Sequence, residues 1–162
     1  MDTKTSSIAE ADKFRVNEQK WTKSLMEAGW TVIPNVFIER QKALGLHPID
    51  LNILLHLAVY WWTPDNRPHP SKTIIADAIN VTPRTVQRRI AALENVGFIR
   101  REQRRIPGKG SKTNVYHLDG LIEAANPYAI EKIQYIKDHK DEQKKRSNRK
   151  RAIISKKEAI EM

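Results

Sequence analysis

Apolar positions recur at helical spacing in several stretches of the chain and form two β-prone runs in another. From Ser7, Ser-Ile-Ala-Glu sets a hydroxyl where it caps a helix and Glu10 where it returns the bond. A helix is therefore predicted from there to about Ala28, stopped by Gly29, with Phe14, Trp21 and Leu25 as its better apolar positions. That patchy face implies packing against the rest of the domain or against a second copy. Trp30 to Glu39 is β-prone, and Pro34-Asn35 within it predicts extended structure with a turn. Leu51, Leu54, Leu55, Ala58 and Trp62 share one face of a helix that starts near Pro48 and ends at the polar stretch 63–70. The longest apolar run, Ile53 to Trp62, is about half of what a bilayer requires and reads as a buried helix.

Ser71 caps a short helix containing Ile74, Ile75, Ala76 and Ile79. Thr82 caps the next, with Pro83 in the first helical position, where its missing N–H costs nothing. Val86, Ile90 and Leu93 form the inner face of that helix, and Gly97 ends it. Phe98 to Ile106 and Asn114 to Leu118 then flank Pro107-Gly-Lys-Gly-Ser-Lys-Thr113, the pattern of a β-hairpin with a long basic tip. Beyond Pro127, Ile130, Ile133 and Ile136 keep helical spacing. Lys137 to Arg151 has no strong apolar residue and is compatible with a solvated helix or with disorder.

Charge sharpens this picture. The chain has 162 residues, one domain with extensions, and 29 Lys+Arg against 19 Asp+Glu leave a net charge of +10. Residues 1–30 are neutral, whereas residues 71–118 hold ten basic against three acidic side chains and residues 127–162 hold eleven against six. Such blocks select polyanionic partners. Cysteine is absent, which excludes disulfides and thiolate chemistry. The N-terminus has no apolar stretch of the signal-peptide kind, so a cytoplasmic, nucleoid-associated protein is expected.

The order helix, short helix, capped basic helix, basic hairpin matters because a duplex major groove admits one α-helix and phosphates require cationic or N–H partners. In the tight turn between the two short helices, Ala76 supplies the small residue and Asn80, four positions on, tolerates positive φ. Taken together, Ser71-Lys-Thr-Ile-Ile-Ala76, Thr82-Pro-Arg-Thr-Val-Gln-Arg-Arg-Ile90, Leu93-Glu-Asn-Val-Gly-Phe-Ile99 and Thr113-Asn-Val-Tyr-His-Leu118 resemble a winged helix-turn-helix domain. Such domains occur in bacterial regulators and in plasmid or phage replication proteins. The resemblance spans about Trp30 to Leu121 and implies a mainly α fold with a small β-hairpin wing and helical extensions at both ends. Residues 1–29 are then an N-terminal arm for packing or dimerisation, 30–121 the DNA-binding domain, and 122–162 a basic C-terminal helix or tail.

Helical geometry sorts the third helix of this unit: Arg84, Gln87, Arg88 and Ala91 point away from the Val86, Ile90 and Leu93 face and are the candidate base readers. Arg89, on the flank, is expected at a phosphate. So are Ser71, Lys72, Thr82 and Thr85, at helix N-termini, although the capping hydroxyls of Ser71 and Thr82 can equally serve the helices alone. On the wing the candidates are Arg104, Arg105, Lys109 and Lys112; a basic hairpin can alternatively be an edge that resists aggregation.

Other chemistries find little support. His47, His56, His69, His117 and His139 are scattered without metal-ligand spacing, and Asp50, Asp65, Asp77 and Glu94 show no paired-carboxylate arrangement. No catalytic residue, metal, cofactor or small-molecule ligand is expected. The expectation is a sequence-specific regulator of transcription that binds double-stranded DNA as a homodimer through its N- or C-terminal helices, without a membrane partner. A replication or partition protein that recognises an origin, and an adaptor that binds protein, are the alternatives.

Overall fold

The computed structural model describes residues 15–106 and 110–158. Residues 15–21 are helical, followed by α1 (Lys23–Glu27), α2 (Asn35–Glu39), α3 (Pro48–Val59), α4 (Lys72–Ala78) and α5 (Pro83–Asn95). Strands β1 (Arg100–Glu102), β2 (Arg105–Ile106), β3 (Gly110–Ser111) and β4 (Val115–His117) precede the long helix α6 (Asp119–Glu158). This is a mainly helical winged helix-turn-helix, with β1–β4 and β2–β3 as the two antiparallel ladders of one wing. A backbone bond from Lys112 N to Arg104 O, 2.9 Å, joins the ladders.

The caps read from sequence are in place. Ser71 Oγ accepts from Ile74 N at 3.1 Å and Thr82 Oγ1 from Thr85 N at 3.1 Å, each satisfying an amide that its helix leaves unpaired. Asn80 (φ 54°) and Gly97 (φ 77°) take left-handed geometry just past α4 and α5. Each lets the following amide reach back to the helix: Val81 N to Ala76 O at 3.0 Å, and Phe98 N to Leu93 O at 2.9 Å. The core forms where these elements converge, around Leu46, Ile53, Leu57, Ile75, Val86, Ile90, Leu93, Ile99 and Tyr116.

Four expectations are corrected. The predicted start of the N-terminal helix at Ser7 lies outside the described residues, and the helix over residues 15–21 is broken at Thr22 (φ 78°), whose hydroxyl recaps α1. A hydroxyl that offers the backbone a local bond competes with helix continuation. Residues 35–39 are helical rather than extended, because Val36 is buried and Phe37 packs on the core, and packing overrides β-propensity. In α3 the buried face is Asp50, Ile53, Leu54 and Leu57; the helix ends at Val59 and Trp62 is 72% exposed. The helix is apolar nearly all round, so spacing alone left its phase undetermined.

Finally, α6 begins at Asp119, eight residues before Pro127, and continues through the basic stretch as helix. Pro127 and Glu123, whose carbonyl loses its partner to the proline, are both exposed, so water can replace the missing bond. The first turn of α6 is tied to the body by Leu121 N to Phe98 O at 3.0 Å, and Gly120 lies directly against the Gly97 carbonyl. Leu121 and Ala125 enter the core and Lys132 pairs with Glu39 at 2.6 Å. From Ile133 to Arg149 every residue is exposed.

Candidate nucleic-acid interface

The first turns of α5 carry the candidate readers because Val86, Ile90 and Leu93, all buried, anchor the opposite side of the helix. Arg84, Gln87 and Arg88 are exposed, as their angular positions on the helix require, while Ala91 is half-buried at the edge of that surface. Thr82 and Thr85 share a 3.0 Å hydroxyl–hydroxyl bond at the start of the helix, where the Thr82 hydroxyl also caps the Thr85 amide.

Arg89 has a protein partner. Its Nε donates to Asp50 Oδ1 at 2.7 Å and its Nη2 to Asp50 Oδ2, a two-pronged bond between α5 and α3. Asp50 is 1% exposed and its Oδ2 also accepts from His47 N at 2.8 Å, closing the capping box of α3. The bond to Asp50 holds the Arg89 guanidinium proton more tightly than usual, against the opposing effect of burial. The flank residue expected at a phosphate thus spends its fork on a carboxylate, and sets how α5 lies on the body.

A second bond crosses the helix-turn-helix itself: Lys72 Nζ donates to Gln87 Oε1 at 2.8 Å, linking the start of α4 to the exposed side of α5. Lys72 also lines a cleft with Ser71, Thr73, Lys112, Thr113 and Asn114, so the N-terminus of α4 and the base of the wing face a common space.

On the wing, Arg104 is aligned across the hairpin by bonds to Thr113 O at 3.1 Å and Thr113 Oγ1 at 3.2 Å. Arg105 stands opposite Ser111 in the β2–β3 ladder, and Lys109 lies outside the described residues. Lys112 bonds through its amide to Arg104 O, which places it at the junction of the two ladders. The wing's root is fixed by Glu94, which accepts from Arg101 N at 3.0 Å and from the Arg101 guanidinium. Arg101 bonds hold the Glu94 carboxyl below its ordinary range, and Glu94 in turn raises Arg101. Burial raises Tyr116, whose amide donates to Pro68 O at 2.9 Å and docks β4 on the segment before α4.

The sequence presents Asp50 and Glu94 only as acidic residues without a paired-carboxylate arrangement. Both anchor arginines instead. A capping box starting at His47 was a signal for Asp50, but nothing in the sequence joins it to a residue 39 positions later. Among the described residues, no group of three or more His, Cys, Asp or Glu is placed to hold a metal ion, and no helix is long and apolar enough to cross a membrane.

Residues 44–99, from the turn before α3 to the start of the wing, match the family model described as a helix-turn-helix domain. They include α3, α4 and α5 whole, and with them both the Arg89–Asp50 and the Lys72–Gln87 bonds. A search of curated proteins finds no match.

Proposed function

From the premise that residues 44–99 are a helix-turn-helix domain, we propose that the protein binds double-stranded DNA sequence-specifically and regulates transcription. In this reading α5 enters the major groove, Arg84, Gln87 and Arg88 contact base edges, and Ala91 borders them. Ser71, Lys72, Thr82 and Thr85 meet one strand's phosphates, and the wing lies along the backbone through Arg104, Arg105, Lys109 and Lys112. Arg89 acts indirectly, by holding α5 on α3. The observation that carries the reading is the sorting of α5 into an aliphatic buried side and an exposed side bearing Arg84, Gln87 and Arg88.

The protein acts by binding alone, without catalysis or cofactor, and in the cytoplasm at the nucleoid. It works as a homodimer: Ile130, Ile133 and Ile136 are exposed on α6, the last two beyond the Lys132–Glu39 bond that holds the helix to the body, and are the side chains an isologous helix pairing would cover. Two copies would then read half-sites about one helical turn apart.

Fluorescence-anisotropy titration of the full chain on mixed-sequence duplex, at several salt concentrations, tests the binding mode. The expected log–log slope is about −0.9 for each phosphate neutralised. No binding at low salt would favour a protein-binding adaptor. Genome-wide footprinting then separates the regulator from an origin-binding replication or partition protein: sites at promoters support the first, a single iterated cluster the second.

A further inference from the structure

The two ends of α6 differ in charge. Residues 119–131 carry Asp119, Glu123 and Glu131 and no basic residue, whereas residues 144–149 carry Lys144, Lys145, Arg146 and Arg149 and no acidic one. Between them lie the exposed Ile130, Ile133 and Ile136. At 100° per residue these isoleucines and the exposed Ile122 span an arc of about 120° on the helix, outside which Leu121 and Ala125 turn into the core. Lys137, Lys140 and Lys144, all exposed, fall inside the same arc. A second helix laid along the isoleucines therefore also runs along these lysines, and its direction decides what they meet.

We infer that two copies of the chain pair their α6 helices antiparallel, centred on Ile133. In a parallel pair each residue of the seam faces its own copy, so Lys137, Lys140 and Lys144 would meet three identical lysines, and like charges held together repel. In the antiparallel pair Ile133 meets Ile133, Ile130 meets Ile136, and the lysines pass to the acidic end of the second copy. Lys137 then lies opposite Ala129, Lys140 opposite Asn126, and Lys144 opposite Ile122, where its stem can cover the apolar side chain while its ammonium reaches Glu123. Asp119 and Glu131 are engaged within their own chain, by Arg67 and Arg40, so Glu123 is the carboxylate expected to meet Lys144. Oppositely directed helix dipoles favour the same arrangement. The pair sets the two domains at opposite ends, with the starts of α6 about 42 Å apart along the axis. The inference rests on the proposed pairing through α6 and adds its direction.

The chain contains no cysteine, so single-cysteine variants of the full chain can be joined by a short bismaleimide without background. Ile133→Cys should cross-link in high yield, and so should an equal mixture of Asn126→Cys and Lys140→Cys. Asn126→Cys, Lys140→Cys and Ser147→Cys taken alone should not, because each then stands about 21 Å or more from its own copy. Exchange of charge gives a second readout: Glu123→Lys and Lys144→Glu should each raise the dimer dissociation constant on the order of tenfold, and the double variant should restore it. Sedimentation equilibrium measures the constant, and circular dichroism controls for folding. Self-cross-linking of Ser147→Cys, no product from the mixture, or charge variants whose losses simply add would overturn the antiparallel direction. If Ile133→Cys gives no cross-linked dimer, pairing through α6 itself falls, and this inference with it.

Discussion

Asp50, at the first turn of α3, accepts both arms of the Arg89 guanidinium from the middle of α5. The two residues stand 39 positions apart, and their bond adds to the shared core in joining the proposed reading helix to the helix behind it.

Replacing one member of that pair is therefore expected to cost far more than an exposed ion pair would. Arg89→Ala leaves a carboxylate at 1% exposure with only the His47 amide as partner, and should destabilise the fold by about 3 kcal/mol or more. Urea unfolding of Arg89→Ala, Asp50→Ala and the double variant measures this as a coupling energy. Independent, additive losses would show that the pair holds nothing.

Acid should weaken the root of the wing. The Glu94 carboxyl is lowered chiefly by its side-chain bond from Arg101, so its folded form binds a proton less readily than the unfolded chain. The stabilisation is fully present above the unfolded carboxylate value, about 4.3, and is lost as pH falls through the lower folded value. The stability advantage of the unaltered protein over Glu94→Gln should accordingly be constant near neutrality and shrink below about pH 4. Thermal denaturation across that range checks it; an advantage that grows on acidification would contradict the assigned sign.

Two glycines should respond differently to alanine. At Gly120 a Cβ would sit 1.9 Å from the Gly97 carbonyl oxygen, a backbone atom, so α6 must shift away from the turn that follows α5. The expected loss is about 1–3 kcal/mol. At Gly97 there is open space, and the cost is only that of holding φ 77° with a side chain, about 1 kcal/mol. Melting curves of Gly120→Ala and Gly97→Ala rank the two effects; a tolerated Gly120→Ala would mean the first turn of α6 is not pinned on the body.

Much of this architecture was legible because it rests on local chemistry. Ser71, Thr82, Asn80 and Gly97 each satisfy the amides or carbonyls of an adjacent helix end, a requirement met within a few residues and hence visible in sequence. The amphipathic face of α5 was equally plain, since polar and aliphatic side chains divide it sharply. What escaped was set by tertiary partners. Residues 35–39 have strand-like composition and become helix where Val36 and Phe37 pack. In α3, spacing pointed to Leu51, Leu54, Leu55, Ala58 and Trp62 as the inner face, whereas the structure buries Asp50, Ile53, Leu54 and Leu57, because apolar side chains around most of the helix do not fix a phase and Asp50 turns inward to Arg89. The same contact gives Arg89, expected at a phosphate, a carboxylate partner, and another, from Lys72, engages Gln87. Side-chain pairing across helices has no signature in spacing.

Self-association should depend on α6. Ile133→Glu places a charge on a residue already 53% exposed in the single chain, so its fold should be unaffected while pairing of the projecting helices is lost. Sedimentation equilibrium is expected to show a dimer for the unaltered chain and a monomer for the variant. A monomer in both cases would remove α6 as the dimer contact.

The assignment of α5 as reader is tested most directly by the ratio of affinities for a selected site and a scrambled duplex, measured for the unaltered protein, Arg88→Ala and Lys109→Ala at one salt concentration. Arg88→Ala should reduce that ratio by about 1–3 kcal/mol of discrimination, whereas Lys109→Ala should weaken both duplexes alike and leave the ratio standing. Equal, uniform losses from both substitutions would contradict the separation of a base-reading helix from a backbone-binding wing.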